Sequence, residues 1–154
     1  MPFRCSRCRF ANFFGPVGAV GGLVIDSEDR LLMVRRARDP GKNQWGLPGG
    51  FVDGGESIEQ ALRREVAEET RLELESFAYL MSGPNQYDYQ GVVAPVIDLF
   101  FVCRAVDPDA IELERTELND FVWTKDPGER LENMAFRSNR IAIEFWLDQQ
   151  AKTE

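Results

Sequence analysis

The chain has 154 residues, 44% of them hydrophobic and 29% charged, with a net charge of −8. That length suits one domain with a real core, and the composition is that of a soluble globular protein rather than a disordered or membrane-embedded one. The acidic balance argues against a general grip on a nucleic-acid duplex, which needs clustered Lys and Arg.

Residues 1–15 read as an appendage and residues 16–154 as a single domain. The N-terminus MPFRCSRCRF lacks the apolar core of a signal peptide, and no apolar run reaches the length of a membrane span. A cytoplasmic protein with no membrane partner is therefore expected. Cys5 and Cys8 have the spacing of half a zinc ribbon, but a structural zinc wants four ligands and a second pair is missing. Intrachain zinc is not expected; a ribbon remnant, or a site shared between two chains, are the other readings.

Val17–Ile25 (VGAVGGLVI) reads as a buried strand, Asp26 to Asp29 as a turn, and residues 30–36 as the second strand of a hairpin. That strand ends in Arg35 and Arg36, which with Arg38 form a local basic patch able to meet a small phosphate ligand; each arginine taken alone reads as a solvated strand end. Residues 39–43 form a loop, and residues 45–50 a short extended segment ending in a glycine pair. A helix follows over residues 58–70. Residues 75–81 and 94–106 are strands, and the polar, aromatic stretch 83–91 between them reads as a loop. Cys103 falls in the second of these strands, where a thiol packs as a small apolar group. Residues 121–123 are another short strand. The last helix spans residues 138–150, with Ile141/Phe145 and Ile143/Leu147 as its apolar pairs. A mixed sheet sandwiched between helices, an α+β arrangement in α/β/α layers, is the economical architecture.

The middle helix is the unusual one. Ser57 is a good N-cap, with Gln60 placed to close a capping box. Ile58, Ala61 and Leu62 share a face, and Glu65 and Glu69 continue that face with Glu68 beside it. An apolar stripe thus becomes a carboxylate stripe. Glutamates one turn apart repel by roughly 0.2–0.5 kcal/mol even in water. Buried, they stay ionised only beside a cation. The chain has no histidine, which removes Ser-His catalysis and His-ligated metals and leaves oxygen donors. Oxygen donors select a hard cation, Mg2+ or Mn2+.

Gly50, Glu56, Arg64-Glu65, Val66, Glu68-Glu69 and Leu72 stand at the spacing of the Nudix box, and the segment resembles it. One position departs: the family's last glycine is Arg71 here. The resemblance extends to the preceding hairpin, to the approach from Trp45 to Gly50, and to the strand around Trp123. It implies a Nudix fold and Mg2+-dependent hydrolysis of the pyrophosphate bond in a nucleoside diphosphate linked to another moiety. It also implies metal ligation by Glu65, Glu68, Glu69 and the carbonyl of Gly49. One of those glutamates, or Glu117, would act as base, with Glu114 and Asp120 as lesser candidates. Glu56, Arg64 and Gly50 would support the site. Arg35, Arg36, Asn85, Tyr87 and Tyr89 are the candidate substrate contacts. The CxxC followed by this box resembles the group between NADH and ADP-ribose pyrophosphatases, so ADP-ribose or a related ADP derivative is the expected substrate. A housecleaning hydrolase of modified NTPs and a non-catalytic ligand sensor are the alternatives. A homodimer is left open.

Overall fold

The computed structural model describes residues 3–12, 15–89 and 91–152, with the backbone alone at residues 3, 12 and 89. A small hairpin of β1 (Phe3–Arg4) and β2 (Ala11–Asn12) comes first. Cys5 and Cys8 sit at its turn, where the amides of Cys8 and Arg7 donate to the Cys5 sulfur and draw its pKa down. The main sheet contains β3 (Val17–Ile25), β4 (Leu31–Arg36), β5 (Trp45–Gly46), β6 (Gly49–Phe51), β7 (Leu74–Tyr89), β8 (Val92–Ala105) and β9 (Leu118–Thr124). Two helices accompany it, α1 (Ile58–Thr70) and α2 (Arg137–Ala151).

Strand periodicity builds two cores. Val20, Val24, Leu32 and Val34 point to one face and pack with Ala61, Leu62 and Val66 of α1. Leu23, Ile25, Leu31 and Met33 point to the other and pack with Ala142, Ile143 and Trp146 of α2. Successive strand residues face opposite sides, so one apolar run feeds both layers. The result is the α/β/α sandwich expected from the sequence.

The hairpin between β3 and β4 is real only at its turn. The strands pair at Ile25↔Leu31 and then part. Beyond that point β6 takes the ladder of β3, through Ala19↔Phe51, Val20↔Gly50 and Gly21↔Gly49. On its other side β3 runs parallel to β8 from Val17↔Val96 to Ile25↔Arg104. Meanwhile β4 is claimed by β9 and β5. A V-shaped cleft therefore opens between β3 and β4. Its closed end is tied by the buried Asp26, whose Oδ1 accepts from the amides of Glu28 and Arg30 at 2.9 and 2.8 Å. Arg104 adds a bond from Nη1 to the Asp26 carbonyl at 2.6 Å.

Two readings change. The stretch expected as a loop, residues 83–91, is largely strand: β7 continues to Tyr89 and pairs antiparallel with β8 as far as Tyr89↔Val92. As an edge strand, β7 leaves one side of its backbone unpaired, so it tolerates Pro84 and polar side chains that read as loop. In α2 the buried residues include Ala142, Ile143 and Trp146, while Ile141 and Phe145 are 39% and 41% exposed. The pair Ile141/Phe145 therefore faces outward.

Helix α1 begins at the expected capping box: Ser57 Oγ accepts from the Gln60 amide at 3.3 Å and Gln60 Oε1 from the Ser57 amide at 2.7 Å. It ends on Arg71, which is left-handed at φ 60° and ψ 6°. A Cβ in that conformation costs about 1 kcal/mol relative to glycine. Arg71 reaches only a long, exposed ion pair with Glu114, at 4.0 Å, worth little in water. Arg71→Gly is thus expected to stabilise the protein by about 1 kcal/mol, raising Tm by about 2–4 °C. A melting curve with no rise would show that the exit of α1 carries no strain. Among the described residues no helix is long and apolar enough to cross a membrane.

Candidate active site

The open end of the V is a cavity of about 340 Å3. It passes through the split in the sheet, so residues of both layers line it. The α1 side supplies Glu65, Glu68 and Glu69; the glycine turn supplies Gly49 and Gly50; the loop before β9 supplies Glu117.

The three helix glutamates differ sharply. Glu69 is only 6% exposed, and its Oε2 accepts from the Gly49 amide at 3.0 Å. Burial pushes its pKa up to about 8, and the charges of Glu65 and Glu117 add to the rise. Among the described residues no cationic side chain forms a salt bridge with it. Glu65 is half-buried, and burial raises its pKa against the pull of Arg64 at 2.8 Å. Glu68 is exposed, which departs from the buried face the spacing suggested, and meets Arg64 at 3.2 Å.

Arg64 organises this end. Its Nη2 donates to Glu56 Oε1 at 2.6 Å and to the Phe51 carbonyl at 3.0 Å, and its Nε to Glu56 Oε2 at 3.1 Å. This fork locks the turn after β6 onto α1 and holds Arg64 protonated, the Glu56 bond being the main cause. Gly50 is there for space: a Cβ would lie 2.6 Å from the Glu65 carboxyl carbon.

The remaining candidates divide. Glu117 lines the cavity and pairs with Arg38 at 2.8 Å. Glu114 is turned to Thr116, and Asp120 pairs with Arg35 at 3.2 Å; neither lines the cavity. Arg36 lines it, with its guanidinium 5.1 Å from the Phe136 ring centroid. Arg35 turns away, to Asn119 at 3.0 Å and to the face of Trp45. Asn85 and Tyr87 line the cavity. The side chain of Tyr89 lies outside the described residues.

Several lining residues were not singled out from the sequence. Phe51 meets Tyr87 edge-on at 5.0 Å, and Phe136 stacks on the same ring at 6.1 Å. Asn139 holds the Leu47 amide at 3.1 Å. Asp98, 6% exposed, accepts from Ser138 Oγ at 2.5 Å and from the Asn85 side chain. Burial raises its pKa. Asp98 had a visible signal, a lone acid inside the apolar run APVIDLFFVC. Phe136 and Asn139 had none, because only tertiary packing brings the start of α2 here.

The donor set fits a hard cation. It offers carboxylate and backbone oxygens, with no imidazole or thiol among the cavity-lining residues. The charge of Arg36 lowers the Glu69 pKa but does not offset its burial, and a bound cation would hold the carboxyl ionised. As the side chains stand, no three acidic or thiol groups among the described residues are drawn together at ligand distance; Arg64 bridges Glu65 and Glu68 instead.

Comparison with known proteins places this geometry. The NUDIX domain family model matches residues 15–132. An ADP-ribose pyrophosphatase of Methanocaldococcus jannaschii is 34% identical over 118 residues, covering 73% of this chain and 68% of that protein. The human mitochondrial NAD(P)H pyrophosphatase is 32% identical over 114 residues, 72% of this chain but only 30% of that longer protein. The NUDIX domain of Shewanella oneidensis NrtR, solved in complex with ADP ribose, superposes with a TM-score of 0.71 at 23% identity, covering 90% of each chain. With the split sheet, the glutamate helix and the matched family model together, the chain belongs to the NUDIX family and is a Nudix hydrolase.

Proposed function

We propose that the chain hydrolyses the pyrophosphate bond of ADP-ribose or a closely related ADP derivative, with Mg2+ or Mn2+ bound at the α1 end of the cleft. The observation that carries this reading is the buried Glu69, which forms no salt bridge among the described residues, in the same cavity as two arginines and an aromatic wall. The archaeal ADP-ribose pyrophosphatase, 34% identical, supports the substrate class.

Glu65, Glu68, Glu69 and the Gly49 carbonyl are the groups that would hold the metal. When bound, Mg2+ neutralises diphosphate charge and lowers the pKa of an attacking water. The protein's own part is positioning and proton handling. Arg36 and Arg38 bind phosphate oxygens. Phe136 and Tyr87 cover the base. Glu117 takes the proton of the water as its oxygen bonds to phosphorus and the bridging P–O bond breaks, giving AMP and ribose 5-phosphate. Arg64 and Glu56 keep the glycine turn against α1 throughout.

Purified protein with Mg2+ should release AMP from ADP-ribose, and excess EDTA should abolish the release. A panel adding NADH, ADP-sugars and modified dNTPs decides the substrate. Cleavage of the dNTPs alone would move the reading to a housecleaning hydrolase. Tight ADP-ribose binding with no turnover would move it to a sensor.

A further inference from the structure

Asp98 stands out as a buried acid that the hydrolytic chemistry does not use. It lies on β8 two residues before Phe100, which packs against α2, and bonds Ser138 of α2, so it belongs to the α2 layer while Glu65 and Glu69 belong to the α1 layer. Both layers meet in one cleft. The carboxyl accepts from Ser138 Oγ and from the Asn85 amide, both neutral donors, and it has no ion-pair partner among the described residues. A carboxylate offers about four acceptor sites, so these two bonds leave acceptor capacity on a group that faces the cavity. Asn139, next to Ser138, has its Oδ1 occupied by the Leu47 amide and keeps its NH2 group as a donor. The α2 end therefore presents an acceptor and a donor in the cavity that the Tyr87–Phe136 stack also lines.

A structural role alone does not account for an acid here. Serine or threonine at this position could meet Ser138 without burying a carboxyl. Burial raises the Asp98 pKa, which marks the local cost of keeping an acid there. The ligand that matches is planar, stacks on an aromatic ring, and carries an N–H donor beside a ring-nitrogen acceptor. Adenine has that edge, with its exocyclic amine next to a ring nitrogen. Hypoxanthine has the same shape but puts a carbonyl oxygen where the amine was, and that oxygen would face an acceptor.

We propose that Asp98 determines base specificity, accepting a hydrogen bond from the exocyclic amine of an adenine held against Tyr87 and Phe136. The placement of the base in this cleft rests on the pyrophosphohydrolase reading; the role of Asp98 deepens it.

The test measures binding apart from hydrolysis. Titration calorimetry of the full chain in EDTA, with AMP and with IMP, should show AMP bound more tightly by roughly 10- to 100-fold, the discrimination of one well-made base-edge pair. In Asp98→Asn the amide can keep the Ser138 bond and turn its NH2 toward a carbonyl. That variant should lose AMP affinity and gain IMP affinity, so that the ratio collapses or inverts. A gain for IMP cannot come from misfolding. Equal binding of the two nucleotides by the wild type, an unchanged ratio in Asp98→Asn, or no binding of either nucleotide would each overturn the role of Asp98. Hydrolysis is scored separately on ADP-ribose and its hypoxanthine analogue. Turnover of both at equal kcat/KM overturns the specificity role and leaves the pyrophosphohydrolase standing. AMP-over-IMP binding without any turnover does the reverse.

Discussion

Glu69→Gln is expected to lower kcat on ADP-ribose about 1,000-fold, roughly 4 kcal/mol in the barrier, while making the metal-free protein less sensitive to pH. The two effects share one cause. Glu69 is buried at 6% exposure beside the Gly49 amide with no cation in contact, and burial pushes its pKa up to about 8. In the unfolded chain the same group titrates near the usual glutamate value of about 4.3. Between those values the folded, metal-free protein holds a proton that the unfolded chain has released. Stability from this group is therefore complete below the lower value and is lost as pH rises through the upper one, on the order of a few kcal/mol in all. Thermal melts in EDTA at pH 5, 7 and 9 should show wild-type Tm falling with pH and Glu69→Gln falling less. Added Mg2+ should restore wild type at pH 9, because a cation supports the ionised form. A parallel slope in the two proteins would mean that the Glu69 charge is not the source. Unchanged turnover would remove Glu69 from the metal site.

The second large effect is on folding. Gly49→Ala should destabilise the protein by about 3 kcal/mol or more, a large part of the roughly 5–15 kcal/mol typical of a domain. Gly49 has φ 150°, and an added Cβ would lie 2.1 Å from the Val20 carbonyl oxygen, 2.9 Å from the Gly21 Cα and 3.0 Å from the Val20 carbonyl carbon. All three are backbone atoms of the central strand β3, so no rotamer change relieves the clash. The β3–β6 ladder must separate, and with it goes the amide that Glu69 accepts from. Urea denaturation reads this directly, and a loss below about 1 kcal/mol would show that β6 can slide away without harm.

Local signals in the chain were legible and non-local ones were not. Helix α1 could be placed end to end because its cap, its period and its exit are each signalled by residues at or beside those positions. The continuous buried run of β3 was equally plain. The parting of β3 from β4 was hidden, since it depends on β6 and β9 winning the ladder positions. The extension of β7 was hidden as well, because an edge strand half in solvent carries the composition of a loop. At the site, box spacing found the acidic residues and their Arg64 clasp. It could not show that Glu68 is exposed and Glu69 buried, since the two lie side by side on the helix and only the opposing turn distinguishes them. The aromatic wall joins β6, β7 and the start of α2, three places far apart in sequence.

The knot around Asp26 has a mechanical meaning. Two strands that pair only at Ile25↔Leu31 form a lever, and Asp26 with Arg30 and Arg104 is its fulcrum. From Ile25 to Val20 the arm is roughly 16 Å long, so a twist of about 3–4° at the fulcrum displaces the glycine turn by about 1 Å. A misplacement of that size is enough to slow a reaction by about 100-fold. The width of the cleft at its open end thus depends on the turn at its closed end, whose side chains do not line the cavity.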